Sequence, residues 1–336
     1  STLDSRLRLM LKFGIIGCGR ISHRFVQGIR AVDGSELTAA WSRRAESVDQ
    51  FVVQYGGKPC TNLDDLLSSD INAVYIATPH TAHLANASAA LNAGKAVLCE
   101  KPLTVDPEEC RRLMEIADAS NCFLMEAMWT FFLPAILRAQ EWVKQGRIGK
   151  IRQLKADFGY PLAFDPQRRE YNVELGGGAL LEMGIYPIAF AWLFMKRDPA
   201  EIRVVAHRAP NGVEDQVECL FDYGDAIASL GTSFRCKLPN VAYVIGEDGY
   251  IAIPDFWRAR ECKLFRLDDC IDHFEDNRES QGFDYEAASV TRDLLSGKKQ
   301  SDVVPLAHSL KFQEHLARIR ASDGLPVADQ ATAHAS

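Results

Sequence analysis

The segment Lys12-Phe-Gly-Ile-Ile-Gly-Cys-Gly-Arg-Ile-Ser22 decides how the rest of the chain is read. Phe13 to Ile16 is an apolar run with the composition of a buried strand. Gly17 and Gly19 break it, and an amphipathic stretch opens with Arg20, Ile21 and Ser22. Gly-x-Gly-x-x-small spacing between a strand and a helix suits a dinucleotide. Gly17 permits the tight turn, Gly19 lets the backbone approach a pyrophosphate, and a small Ser22 lets the helix lie close to the strand. The free N–H groups of the helix start, carried by residues such as Arg20 and Ile21, then face the phosphates. A glycine turn alone is a weak signal, so the flanking sequence has to decide.

Downstream, strand and helix patterns alternate. Ile21 to Ala31 has apolar residues at helical spacing, and Leu37 to Trp41 reads as the second strand, ending in Ser42-Arg43-Arg44. In a dinucleotide fold that end meets the adenosine ribose. A carboxylate there binds a 2′-hydroxyl, whereas a hydroxyl with arginines suits a 2′-phosphate. No carboxylate appears until Glu46, so NADP(H) is expected over NAD(H), with NAD(H) the alternative cofactor. Ala73 to Ala77 is a further strand, closed by Thr78-Pro79-His80. Thr81 is in position to cap a helix running to Asn92. Thr78, His80 and His83 therefore fall beyond a strand's carboxyl end, where open parallel sheets bind ligands. Ala96 to Cys99 is the next strand and runs directly into Glu100-Lys101-Pro102. Pro102 restricts Lys101 to an extended conformation, and Glu100 is placed to orient its neighbours. A helix over Asp106 to Ser120 and a strand over Cys122 to Met125 complete the alternation, which predicts an α/β doubly wound parallel sheet over residues 1–128.

The rhythm changes beyond that point. A helix over Leu133 to Gln145 precedes a strand over Ile151 to Phe158. Short β runs with turn signals such as Asp222-Tyr-Gly224 and Glu247-Asp-Gly249 then fill Ile202 to Phe265. Helices over Tyr285 to Ser296 and Leu306 to Arg320 follow, and the tail from Ser322 is small, polar and expected to fray. Residues 129–336 are expected to form an α+β domain on a mostly antiparallel open sheet. Within it, Glu182 and Tyr186 stand four apart in a helical segment, after Gly176 to Gly178 and just before Pro187, which would bend or open the helix. Tyrosine exchanges protons near neutral pH only if its pKa, normally about 10, is brought down, and a neighbouring ammonium does this by favouring the phenolate. Lys101 with Tyr186 is a chemically sensible pair on that ground.

Composition sets the bounds. The 336 residues exceed one typical domain, and a hydrophobic fraction of 47% with 25% charged residues is that of a globular protein. A net charge of −7 argues against general nucleic-acid binding. No continuous apolar run is long enough to predict a membrane-spanning helix, and the first nine residues lack a signal-peptide core. Met10, directly before the first strand, is a candidate natural start. The nine cysteines form no Cys-x-x-Cys pair, which suggests neither a disulfide framework nor a metal site and fits a reducing cytoplasm.

Taken together, Gly14-Ile-Ile-Gly-Cys-Gly-Arg-Ile21, Ala77-Thr-Pro-His-Thr-Ala-His83, Glu100-Lys-Pro102 and Gly176-Gly-Gly-Ala-Leu-Leu-Glu-Met-Gly-Ile-Tyr186 resemble the glucose–fructose oxidoreductase / inositol dehydrogenase (Gfo/Idh/MocA) family. The order and intervals match along nearly the whole chain. Glu126-Ala-Met-Trp-Thr130 looks closest to the dimeric dihydrodiol dehydrogenase / D-xylose dehydrogenase branch. The resemblance implies an N-terminal Rossmann domain and a C-terminal open-sheet domain that builds homodimers or homotetramers. It also implies a tightly held nicotinamide and hydride transfer to or from a sugar, polyol or cyclic diol. Lys101 matches the family's active-site lysine, Tyr186 its proton donor or acceptor, and Glu182 falls where many members have aspartate. Glu100, Lys101, Thr78 and His83 are expected to join the cofactor contacts, and Trp129, Phe158, Tyr160 and Arg168 to line the substrate pocket. Phe131 stands where the branch commonly has arginine, which removes a positive charge. Two other classes stay open: a non-catalytic NADP(H)-binding sensor or regulator, and a nicotinamide-dependent glycosidase.

Overall fold

In the computed structural model, which describes residues 10–322, the opening run becomes β1 (Leu11–Ile16) and the amphipathic stretch α1 (Arg20–Arg30). They are followed by β2 (Ser35–Trp41), α2 (Ala45–Tyr55), β3 (Lys58–Pro59), α3 (Leu63–Leu67), β4 (Ala73–Ile76), α4 (His83–Asn92), β5 (Ala96–Glu100), α5 (Pro107–Ser120) and β6 (Leu124–Ala127). The strands form one parallel sheet in the order β3-β2-β1-β4-β5-β6, so the chain reverses direction across β1 and β4 as a doubly wound sheet requires. The central strands β1 and β4 carry an almost wholly apolar run. Phe13, Ile15, Ile16, Val74, Tyr75 and Ile76 are fully buried, each side chain contributing about 1.5–3 kcal/mol by leaving water. Phe25 of α1 stacks on Tyr75 at 3.8 Å and meets Phe13 edge-on at 5.5 Å, which locks that helix to β1 and β4.

The expected strand at Cys122–Met125 moves to Leu124–Ala127. Cys122 N–H still bonds back to the carbonyl of Ala117, and Asn121 is left-handed at φ 52°, so those residues finish α5 rather than start β6. Thr81 does not cap the helix after β4. A short 3₁₀ turn, His80–Ala82, runs into α4 with Ala82 at the N-cap position and no side-chain cap. Arg44 is the N-cap of α2, so the two arginines also stand at a helix start, and α3 is capped by Asn62, whose side chain accepts the Asp65 N–H.

The second sheet is built from β7 (Ile151–Gly159), β8 (Glu201–Arg208), β9 (Glu214–Asp222), β10 (Ile227–Ser233), β11 (Ala242–Gly246), β12 (Tyr250–Ile253), β13 (Glu261–Arg266) and β14 (Asp269–Glu275). Its order is β14-β13-β12-β11-β7-β10-β9-β8, and every pair is antiparallel except β7 with β10. One face carries α6 (Pro134–Lys144) and α7 (Ile185–Met195). α7 is buried nearly all round, and the helical stretch Val173–Met195 is apolar and long enough to cross a membrane by composition, at mean hydropathy 1.5. This differs from the expectation of no membrane-spanning helix, because the stretch is apolar as a whole without being one uninterrupted apolar run. Since 89% of its most apolar window is buried inside the protein, it is accounted for as a core helix.

Contacts divide the chain into two units, residues 10–103, 109–132 and 278–309, and residues 104–108, 133–277 and 310–322. The late segment bearing α8 (Phe283–Leu295) thus packs with the first sheet. Gly28 of α1 makes room for it, because a Cβ there would stand 3.0 Å from the Phe283 carbonyl carbon. The last helix is α9 (Leu306–Ser322). The first nine residues and the tail beyond Ser322 lie outside the described residues.

Candidate active site

In the first unit, Gly17 is at φ 96°, and a Cβ on it would stand 2.7 Å from the Ala77 carbonyl oxygen. Only glycine fits this turn. A Cβ on Gly19, by contrast, would meet nothing within 4 Å. Gly19 is also the N-cap of α1 with no side-chain cap, so open space faces a helix start whose backbone donors are not capped by a side chain. Ser22 is buried and its hydroxyl donates to the Gly17 carbonyl at 2.5 Å, so the small residue ties helix to turn as well as permitting close packing. Cys18 inside the turn is pushed up to about 12 by burial and stays a neutral thiol. These features fit a dinucleotide pyrophosphate.

At the end of β2, Ser42 is half-buried while Arg43 and Arg44 are exposed. Neither guanidinium makes a hydrogen bond or ion pair with another described residue. At the end of β4, the Thr78 hydroxyl accepts from Asn86 Nδ2 at 3.3 Å. His83 is fully buried, its Nδ1 2.8 Å from the Pro102 carbonyl and its Nε2 3.1 Å from the Thr78 carbonyl. A neutral ring donates to one of the two. His83 thus joins the ends of β4 and β5 through main-chain oxygens.

Lys101 follows β5 directly and is joined to Pro102 by a cis peptide. The buried Glu100 carboxylate accepts the Tyr75 hydroxyl and, at 3.2 Å, the Lys101 N–H. Beneath them Glu126 is fully buried and accepts the Leu103 N–H at 2.9 Å. Burial pushes its carboxyl up to about 7, against the pull of the nearby Ser309 hydroxyl (outside good hydrogen-bond geometry) and of the Leu103 N–H. A carboxyl raised from about 4.5 to about 7 supports the fold fully below its unfolded pKa and loses that support as pH rises through 7, roughly 3 kcal/mol in all. Glu126→Gln removes the titration. Melting curves at several pH values should therefore show the variant gaining on the wild type between pH 4.5 and 7 and levelling above. A pH-independent difference would refute the neutral acid. Trp129 is buried and stacks on Phe283 at 4.3 Å, and Phe131 is buried in the same turn.

In the second unit, Tyr186 is only 7% exposed and its ring meets Phe158 edge-on at 5.2 Å. Phe158 in turn meets Tyr160 at 5.9 Å and stacks on Trp257 at 4.8 Å, while Lys237 stands over Tyr160. Three expected residues, Phe158, Tyr160 and Tyr186, thus come together, and Trp257 joins them unannounced by any sequence signal. Tyr186 lies in the first turn of α7, just past a single π turn at Leu180–Gly184. Pro187 has no N–H to donate back, so the ladder is re-registered ahead of it. Glu182 is engaged on both oxygens by Arg169, at 2.8 and 3.0 Å. The expected Arg168 instead points to Glu170 at 3.3 Å. The start of the helical stretch is held by Glu214, a buried carboxylate facing the Leu180 N–H. Its pKa is raised by burial and drawn back by Arg320. Gly178, at φ 135°, leaves the room that Glu214 fills, for a Cβ there would stand 2.2 Å from its Oε1.

Two family models match successive stretches of the chain. Residues 11–128 match the family model described as an oxidoreductase family with an NAD-binding Rossmann fold, and residues 136–252 match the GFO/IDH/MocA C-terminal domain. The chain is 32% identical over 340 residues to a trans-1,2-dihydrobenzene-1,2-diol dehydrogenase of Mus musculus, covering 94% of this chain and 98% of that protein. The Homo sapiens enzyme of the same name is 33% identical over 334 residues, with the same coverage. Among solved structures, a 3-ketoreductase from Actinomadura kijaniata in complex with NADP and TDP-benzene superimposes with a TM-score of 0.83. It is 27% identical, and the match covers 94% of this chain and 98% of that one. With matches of this kind over both sheets, the chain belongs to the Gfo/Idh/MocA family, and it is an NAD(P)-dependent oxidoreductase.

Proposed function

We propose that this enzyme is NADP(H)-preferring and transfers hydride between the nicotinamide and a carbinol carbon of a sugar, polyol or cyclic diol. The observation that carries the reading is Lys101. Its ammonium stem leaves the carboxyl end of β5, two strands from the glycine turn in the order β1-β4-β5, on a main chain braced by Glu100, Tyr75 and His83. Nicotinamide, when bound, supplies the hydride acceptor or donor. The protein's own groups do the rest. Gly17 and Gly19 admit the pyrophosphate, and Arg43 and Arg44 with Ser42 receive the 2′-phosphate. Tyr186 takes or gives the hydroxyl proton, and Lys101 stabilises the phenolate and hydrogen-bonds the reacting oxygen.

Phe158, Tyr160 and Trp257 supply the flat apolar walls that suit a ring substrate, and the relatives named for a cyclic diol and the neighbour crystallised with NADP support the same choice. Because Glu182 is already paired with Arg169, it acts on substrate through that neutralised pair rather than as a bare carboxylate. The sheet face that carries exposed Val205, Leu220 and Ile227 is proposed to join two copies, and nine free cysteines accord with a reducing cytoplasm. The test of the reading is a panel of pentoses, hexoses, inositols and trans-diols, followed at the reduced-nicotinamide absorbance with NADP and NAD in parallel. Turnover of a sugar or diol with NADP favoured is expected. Tight NADPH binding without any turnover would instead favour a sensor, and glycoside cleavage without net cofactor consumption would favour a glycosidase.

A further inference from the structure

β6 carries one residue that its packing does not explain. Leu124, Met125 and Ala127 are buried apolar side chains, and among them stands Glu126, fully buried. Its Oε1 accepts the Leu103 N–H at 2.9 Å, while Oε2 has no hydrogen-bond partner among the described residues. A carboxyl taken out of water is costly unless its bonds compensate, and an apolar side chain would complete this strand without that cost. What Glu126 contributes and an apolar residue cannot is the bond to Leu103, two residues beyond Lys101.

That bond completes a set. Side chains alternate across a strand, and partners in register share a face of the sheet. Tyr75 pairs with Leu98, so Glu100 lies on the face of Tyr75, whose hydroxyl it accepts. Cys99 pairs with Glu126, which puts Glu126 on the opposite face. From one face Glu100 accepts the Lys101 N–H at 3.2 Å, and from the other Glu126 accepts the Leu103 N–H. Between them His83 Nδ1 stands 2.8 Å from the Pro102 carbonyl. Three buried side chains, from β5, α4 and β6, thus take one main-chain group each of residues 101, 102 and 103, all within the first unit. We propose that Glu126 is a positioning residue for Lys101: by holding the Leu103 N–H from the face opposite Glu100, it fixes the far end of the Lys101–Leu103 turn and so the direction in which the Lys101 side chain leaves the sheet. This deepens the proposed redox function and rests on it. No covalent bond or proton moves in the role.

The test compares Glu126→Met with Glu126→Gln in the full-length protein at neutral pH. Both replacements are neutral and close to Glu in length, and only Gln keeps an oxygen for the Leu103 N–H. Turnover is divided by the number of NADPH-binding sites, counted by fluorescence titration. Glu126→Met should lower kcat per site about 10- to 100-fold, the cost of a reacting group displaced by about 1 Å, and Glu126→Gln should restore it to within about threefold of wild type. A merely structural role would lower the melting temperature or the number of sites and leave kcat per site unchanged. Independently of turnover, acetic anhydride labelling read by peptide mass spectrometry should show Lys101 reacting at least about threefold faster in the Met variant, with the exposed Lys155 as internal reference, and no such change in the Gln variant. Glu126→Leu carries the same expectations as Met if the Met variant does not fold. An unchanged kcat per site, unchanged Lys101 labelling, a Gln variant as impaired as Met, or failure of both apolar variants to fold would overturn the proposal. Wild-type protein without sugar or diol turnover would overturn the redox reading instead, and the labelling comparison would still judge the hold on Lys101.

Discussion

Replacing Tyr186 by phenylalanine lowers kcat by about 10²- to 10⁴-fold on the best substrate while leaving NADPH binding unchanged. That range is what a positioned proton donor or acceptor supplies. The substitution is clean because the ring's packing survives. Phe158 at 5.2 Å and Trp257 at 6.3 Å both meet its ring in T-shaped contacts, which do not use the hydroxyl. Loss of one hydroxyl costs stability on the order of 1 kcal/mol. The glycine turn belongs to the other unit and keeps its geometry. Steady-state kinetics with a parallel fluorescence titration of NADPH separates the two effects. A kcat within threefold of wild type would remove Tyr186 from the chemistry.

The double substitution Arg43→Ala, Arg44→Ala raises the NADPH dissociation constant about a hundredfold and leaves that for NADH nearly unaltered. Each charge-assisted bond to a phosphate is worth about 1.5–3 kcal/mol, with the lower figure appropriate to exposed groups. Two such bonds amount to about 3 kcal/mol, or roughly two powers of ten. Neither guanidinium has a partner among the described residues, so little else is lost with them. Equal weakening of NADH and NADPH would mean that the pair serves the pyrophosphate or the fold rather than the 2′-phosphate.

The first half of the site was legible because its chemistry is local. A buried run, a glycine turn and a helix start are neighbours in sequence, and the hydroxyl–arginine end of β2 follows from strand order alone. What escaped was set by contacts distant in sequence. Nothing about Glu286 or Phe283 announces that α8 returns to the first sheet, where Gly28 receives it. His83 was legible as a residue at the strand ends, yet its two ring nitrogens face main-chain carbonyls, which only the conformation of Pro102 and Thr78 decides. Between Arg168 and Arg169 no periodicity could choose, since both lie at an irregular turn, and the geometry gives Glu182 to Arg169. Trp257 and Glu214 likewise reach Phe158 and Leu180 only through sheet register and the room left at Gly178.

Net hydride transfer to the nicotinamide is tested most directly by isotope transfer. The wild-type enzyme is supplied with NADP and the best diol or sugar deuterated at its carbinol carbon, and the reduced cofactor is then weighed by mass spectrometry. One deuterium per NADPH formed is predicted. Substrate consumed with no label in the cofactor would contradict it.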